Sequence, residues 1–191
     1  MQKTYHPDYA RCIADAICYD MKDYTGCIEI VGGLRRKQDK VLGISIIYIS
    51  KIQTIEMEME QQGNLFNGFR SKHVRKIQLF KPALEKLDYL RFRDTNKQLT
   101  TSVEHLIDIP TQVPIDIYQV TSISEWGAAL ALKTGPVKFC QVMLETAQRK
   151  GIKIDNHKTI AINDNAIIST PTEQDFFSAC GVDWIEPDKR E

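Results

Sequence analysis

The sequence predicts an α+β fold in two lobes, one over residues 1–122 and a smaller one over residues 123–191. Three observations carry that prediction. Apolar runs with strand-like alternation recur through residues 27–120, the spacing of apolar residues turns helical from Ile123 onward, and a small β unit returns between the last helices. The 191-residue length suits one domain or two packed small lobes. With 42% apolar and 26% charged residues the composition is that of an ordinary globular chain, which excludes a wholly disordered or fibrous protein.

Residues 7–22 read as a helix. Pro7 suits the first turn, where a missing N–H costs nothing, and Ala10, Ile13, Ala14, Ile17 and Met21 share a face. Residues 27–31 read as a short strand ended by Gly32 and Gly33. Residues 41–50 hold Ile44, Ile46, Ile47, Tyr48 and Ile49, a near-continuous apolar run that predicts a strand covered on at least one face. Over residues 51–69, Glu56, Glu58 and Glu60 alternate with Met57 and Met59, which fits either an edge strand or a surface helix, and residues 61–64 and 67–68 read as loop. Residues 82–89 predict a short helix, and residues 90–93 and 99–105 two strands around a turn at 94–97. Residues 113–120 predict a strand with Pro114 near its start, where a missing donor is tolerated.

In the second lobe Ile123, Trp126, Gly127 and Leu130 fall on one helical face. Thr134, Gly135 and Pro136 read as the start of the next helix. Its stripe is Phe139, Cys140, Met143, Leu144 and Ala147, read mostly as packed core, and Gly151 stops it. Residues 152–169 predict a small β unit, and residues 172–180 a short helix capped by Thr172.

The five cysteines (Cys12, Cys18, Cys27, Cys140, Cys180) form no Cys-x-x-Cys pair, and the four histidines (His6, His73, His105, His157) are scattered. That spacing argues against a zinc site and for reduced thiols. No apolar leader follows Met1, and no apolar run approaches the ~20 residues that span a bilayer. The expectation is a cytoplasmic chain with no membrane partner. Its formal net charge is zero, which argues against a generic basic nucleic-acid binder. The zero hides a cancellation, however. Residues 70–97 carry a net +6 and residues 173–191 a net −4. Arg70, Lys72, Arg75, Lys76, Arg91 and Arg93 in the basic segment are candidate contacts to a phosphate backbone, a salt-dependent interaction. The other reading of the same run is an ordinary solvated face. Phe69, Phe80, Tyr89 and Phe92 interleave with it at strand-like spacing and read as core more readily than as stacking platforms.

Four stretches, taken in order, carry a family resemblance: Ile28-Glu-Ile-Val-Gly-Gly-Leu-Arg-Arg36, Val41-Leu-Gly-Ile-Ser-Ile-Ile-Tyr48, Val113-Pro-Ile-Asp-Ile-Tyr118, and Ser124 through the Thr134-Gly135 pair. The ending, with Glu173, Asp175, Phe176, Phe177, Trp184, Pro187 and Arg190, adds to it. The chain resembles the DNA polymerase X family, the group that includes DNA polymerase beta. The resemblance implies a nucleotidyltransferase palm, a mixed sheet with helices, over residues 1–122 and a thumb-like lobe over 123–191. It implies nucleotide binding by Gly32, Gly33, Arg36, Thr134 and Gly135. Glycines let backbone N–H groups approach a triphosphate closely, and a guanidinium hydrogen-bonds phosphate bidentately. The family has serine at the position of Gly33, so that hydroxyl is lost.

The same resemblance exposes a departure. The family's chemistry uses three carboxylates around two Mg²⁺ ions, two of them at i and i+2 of one strand. Period-2 alternation turns such a pair to one side. Those positions here are Gly43 and Ser45, and only the third-strand acid remains, as Asp116. A neutral hydroxyl is a poor ligand for a hard cation, so Mg²⁺ binding is expected to be weak. Asp39, Glu56, Glu58, Glu60 and Asp108 are the nearby acids, and none stands at the i, i+2 offset next to Asp116. Metal catalysis supplies several kcal/mol, and each ~1.4 kcal/mol is a factor of ten, so polymerase activity is expected to fall by at least roughly three orders of magnitude. In the thumb, Cys140 and Leu144 stand where DNA polymerase beta has hydrogen-bonding residues, and Leu132 and Lys133 replace an aromatic pair.

Three functions follow as expectations. The first is a catalytically impaired protein that binds DNA or a nucleoside triphosphate. The second is an active nucleotidyltransferase, template-directed or terminal, with a rearranged metal site. The third is a viral or phage structural protein that reuses the fold to bind a protein partner, placed in host cytoplasm or virion.

Overall fold

The computed structural model describes residues 3–60, 70–93 and 103–190, with backbone alone over 57–60 and 70–73. Helix α1 (Pro7–Met21) opens the chain, with Pro7 at its first turn. It buries Ala10, Ala14, Ile17 and Met21, the face the spacing predicts, with Ile13 packed at its edge. Strand β1 (Thr25–Val31) leads into a single helical turn, α2 (Gly32–Arg35), and then β2 (Ile44–Ser50). Gly32 sits at φ +67, a conformation that side-chain-bearing residues rarely adopt, and this lets the chain turn directly off the strand end.

The ambiguous Glu/Met stretch is strand. β3 (Ile52–Glu60) pairs antiparallel with β4 (Arg70–Gln78) as a two-stranded ribbon separate from the main sheet. The loop expected at 61–64 and 67–68 and the turn at 94–97 lie outside the described residues. The next helix, α3 (Phe80–Leu84), begins earlier and is shorter than the spacing at 82–89 suggests, because Phe80 inserts into the core. Its ring stacks on Tyr48 with centroids 3.5 Å apart. β5 (Leu90–Phe92), β6 (Val103–Asp108) and β7 (Pro114–Gln119) complete a five-stranded mixed sheet in the order β1-β2-β7-β6-β5, where only β2 and β7 run parallel.

Alternation divides the two faces of this sheet. Ile44, Ile46, Tyr48, Leu106, Ile115 and Ile117 point into one core with α1 and α3. Val31, Ile47 and Val120 lie on the other side, under Trp126 and Ala129 of α4 (Trp126–Thr134). Full burial of each such side chain contributes about 1.5–3 kcal/mol, so both faces hold the sheet in place.

The last third packs around its own apolar cluster: Ala128 and Ala131 from α4, Phe139, Met143 and Ala147 from α5 (Val137–Arg149), Ile152 from β8 (Ile152–Asp155), and Phe176, Phe177 and Cys180 from α6 (Glu173–Cys180). β8, β9 (Lys158–Ala161) and β10 (Ile167–Ile168) form a small three-stranded sheet. Leu144, expected in the packed stripe, is exposed instead, since α5 turns only Phe139, Met143 and Ala147 inward. Pro136 immediately precedes α5 rather than occupying its first turn. Thr172 caps α6 in a reciprocal capping box with Asp175, and Gly181 ends that helix at φ +69. No helix of the described residues is long and apolar enough to cross a membrane.

Candidate functional site

The strand registers place four side chains in one row across the sheet. Val31 of β1 lies opposite Ser45 of β2, Ser45 opposite Asp116 of β7, and Asp116 opposite His105 of β6. The row lies on the face away from α1. A cleft of about 430 Å³ opens above it, lined by Gly33, Arg36, Gln38, Gly43, Ser45, Arg93 and Asp116 among others. Gly33, Arg36, Gly43, Ser45, Arg93 and Asp116, scattered over 84 positions of the sequence, therefore meet at one place.

Asp116 is not free there. Its Oδ1 lies 2.7 Å from Nδ1 of His105, with both side chains about a third to a half exposed. Sequence reasoning missed His105. Nothing in its neighbours marks it, and only the β6–β7 register brings it beside the acid. That register depends on the tight connection after β6. There the Asp108 carboxylate accepts from the Thr111 backbone N–H and from its hydroxyl, and Gln112 turns at φ +61.

The glycines carry specific meanings. A Cβ on Gly43 would stand 2.6 Å from the backbone oxygen of Pro114, so β7 leaves no room for a side chain at that position. A Cβ on Gly33 would stand 2.6 Å from Oε1 of Gln38, whose amide fills the space a serine would use. A Cβ on Gly135 would likewise collide with the Phe139 ring.

The donor set can be tested against two Mg²⁺ ions. Positions 43, 45 and 116 offer no side chain, a neutral hydroxyl and one carboxylate that is already paired with an imidazole. Asp108 lies on the core side of β6, Asp39 is exposed in the turn before β2, and Glu56 is exposed on the ribbon. Hard divalent cations need several anionic oxygens in a fixed shell, and this set does not fit them. Among the described residues no group of three or more His, Cys, Asp or Glu side chains is placed to hold a metal ion.

Thr134 is fully buried and serves the framework. Its hydroxyl accepts from Arg35 Nη1 at 2.8 Å, and its carbonyl oxygen accepts from Arg36 Nη1. Arg35 also grips Glu173 bidentately, at 2.7 and 2.8 Å. Glu173 takes a further bond from Arg190 Nη1 at 2.8 Å, and Arg190 Nε and Nη2 both donate to the carbonyl of Ile185. Burial raises the Glu173 carboxyl, but the two guanidiniums outweigh it and hold the group below its ordinary value. This buried latch ties the turn after β1 to α6 and to the chain's last residues.

Residues 129–191 match the family model of the DNA polymerase beta thumb. The matched stretch begins inside α4 and takes in the latch residues Glu173 and Arg190. It covers a third of the chain, and residues 1–128 lie outside it. No curated protein matches the chain. Within the thumb-like segment, Cys140 is half-buried, and burial raises its thiol above the ordinary range despite the nearby Arg36, Lys133 and Arg190. Lys133 sits over the Tyr118 ring at 4.0 Å, so the position next to Thr134 contacts the sheet rather than open solvent.

The basic candidates divide. Arg75 and Lys76 are exposed on β4, and Arg91 and Arg93 are exposed on and just after β5. Arg70 lies opposite Glu60 in the ribbon register and Lys72 opposite Glu58. In the same register Arg75 lies opposite Ile55 and Lys76 opposite Thr54, so neither has an acid directly across the ribbon.

Proposed function

We propose that this chain is a DNA-binding protein on the palm-and-thumb plan of polymerase X, in which two-metal nucleotidyl transfer has been lost. The observation that carries the reading is the Ser45–Asp116–His105 row: the one acid left at the expected place is spoken for by a histidine. The match of residues 129–191 to a polymerase thumb supports the DNA side of the proposal. Convergence of the Gly33 turn, Arg36 and Asp116 on one cleft supports a palm over residues 1–122. Arg75, Lys76, Arg91 and Arg93 are the exposed cations assigned to the phosphate backbone. The five free cysteines suit a reducing, cytoplasmic location.

The test runs both halves together. A labelled primer-template is incubated with the protein, all four deoxynucleotides and Mg²⁺ or Mn²⁺. The reading expects a gel shift at ~50 mM salt that weakens steeply as salt rises, with no extension. Extension that disappears in Asp116→Ala overturns the loss of catalysis. Absence of any shift at low salt overturns DNA binding.

A further inference from the structure

The mismatch between the cleft and two magnesium ions leaves a cationic pocket with little acid in it. Arg36 and Arg93 both line the cleft. Arg36 uses one N–H on the Thr134 carbonyl, leaving most of its five donors uncommitted. Arg93 is held at the cleft edge by its backbone N–H, which donates to the His105 carbonyl at 2.8 Å, while its side chain is exposed with no acid partner among the described residues. Lys133 lies within electrostatic reach of Asp116. Two guanidiniums thus share the cleft with a single carboxylate, Asp116, which His105 already pairs. In a metal-dependent nucleotide site the signs are reversed: clustered acids hold cations, and the cations hold the phosphates.

We infer that the cleft binds the oligophosphate of a nucleotide directly on Arg36 and Arg93, without a divalent cation between protein and phosphate. Guanidiniums match phosphate oxygens bidentately and need no bridging ion. The inference deepens the proposed reading and rests on it for the placing of the cleft. Its signature is inverted linkage. Mg²⁺ neutralises part of the charge of a free triphosphate, so in this cleft it competes with the arginines instead of assisting them. Asp116 repels the ligand instead of anchoring it.

Isothermal titration of the full chain with inorganic tripolyphosphate and with deoxyadenosine triphosphate tests this, each in EDTA and in millimolar Mg²⁺. Both ligands are expected to bind in EDTA and to bind more weakly in Mg²⁺; tighter binding of the nucleotide identifies it as the source of the phosphate. Arg93→Ala, at an exposed position where folding is not at stake, is expected to weaken binding about tenfold, the cost of one charged hydrogen-bonding group. Asp116→Asn is expected to tighten it several-fold. Binding that requires Mg²⁺, or that is lost in Asp116→Asn, overturns the inference, as does no binding in EDTA. A parallel DNA gel shift separates the two readings. A retained shift without tripolyphosphate binding defeats this inference alone, and tripolyphosphate binding without a shift defeats the DNA-binding proposal alone.

Discussion

A Cβ on Gly43 would stand 2.6 Å from the Pro114 carbonyl oxygen, so restoring the missing acids is not a neutral edit. Gly43→Asp is expected to destabilise the fold by about 1–3 kcal/mol through overpacking, read as a fall in denaturant midpoint. Ser45→Asp, on a half-buried position facing the cleft, is expected to fold normally. The double variant is expected to show no gain in primer extension. His157 makes a second residue-scale prediction. It sits at φ +72 in the β8–β9 turn. Burial, with Lys133 nearby, pushes its pKa down to about 4, against a smaller opposite pull from Glu125. Between about pH 6.5 and 4 the unfolded chain takes up a proton that the folded chain refuses. Stability should therefore decline as pH falls through that window and be unaffected by this group above it. His157→Asn keeps a residue tolerant of positive φ and is expected to flatten the melting temperature across the same window.

Two elements set how the molecule behaves beyond single side chains. The first is the latch of Arg35, Glu173 and Arg190, which joins the β1–α2 turn to α6 and the C-terminal residues. Glu173→Gln leaves two guanidiniums facing a neutral amide at a buried site and is expected to cost about 3–5 kcal/mol, roughly a 10 °C fall in melting temperature. The second is the β3–β4 ribbon, with Arg75 and Lys76 exposed on it. If the ribbon follows a DNA backbone, replacing both by alanine lowers the slope of log affinity against log salt by about two, since each phosphate contact contributes about one. A slope unchanged by the double replacement would assign them to solvent.

Part of the fold is legible in the amino-acid sequence. Period-2 alternation predicts Gly43 and Ser45 on one side, although β2 itself begins only at Ile44, and residue type alone points to the Thr172 cap and the Gly151 stop. What escaped was whatever depends on register. His105 meets Asp116, and Glu58 and Glu60 stand opposite Lys72 and Arg70, only because strands far apart in sequence align in one way. Gly43 read as a missing ligand, whereas it also lies just before β2 so close to Pro114 of β7 that a Cβ would not fit. Thr134 read as a nucleotide contact, but its burial between two arginines became visible only with the latch.

At the scale of the whole molecule, a net charge of zero divides into a basic middle and an acidic end, and the acidic end is partly consumed internally by the latch. The thumb-like third carries its own apolar cluster, and the sheet carries the cleft. The central claim is that this arrangement holds DNA without extending it. Single-nucleotide incorporation on a primer-template, at saturating protein and with Mn²⁺ as the more permissive ion, tests it most directly. The account predicts no product above a protein-free control, and no change when Asp116 is replaced by alanine. Templated incorporation by the natural chain that vanishes in Asp116→Ala would contradict it.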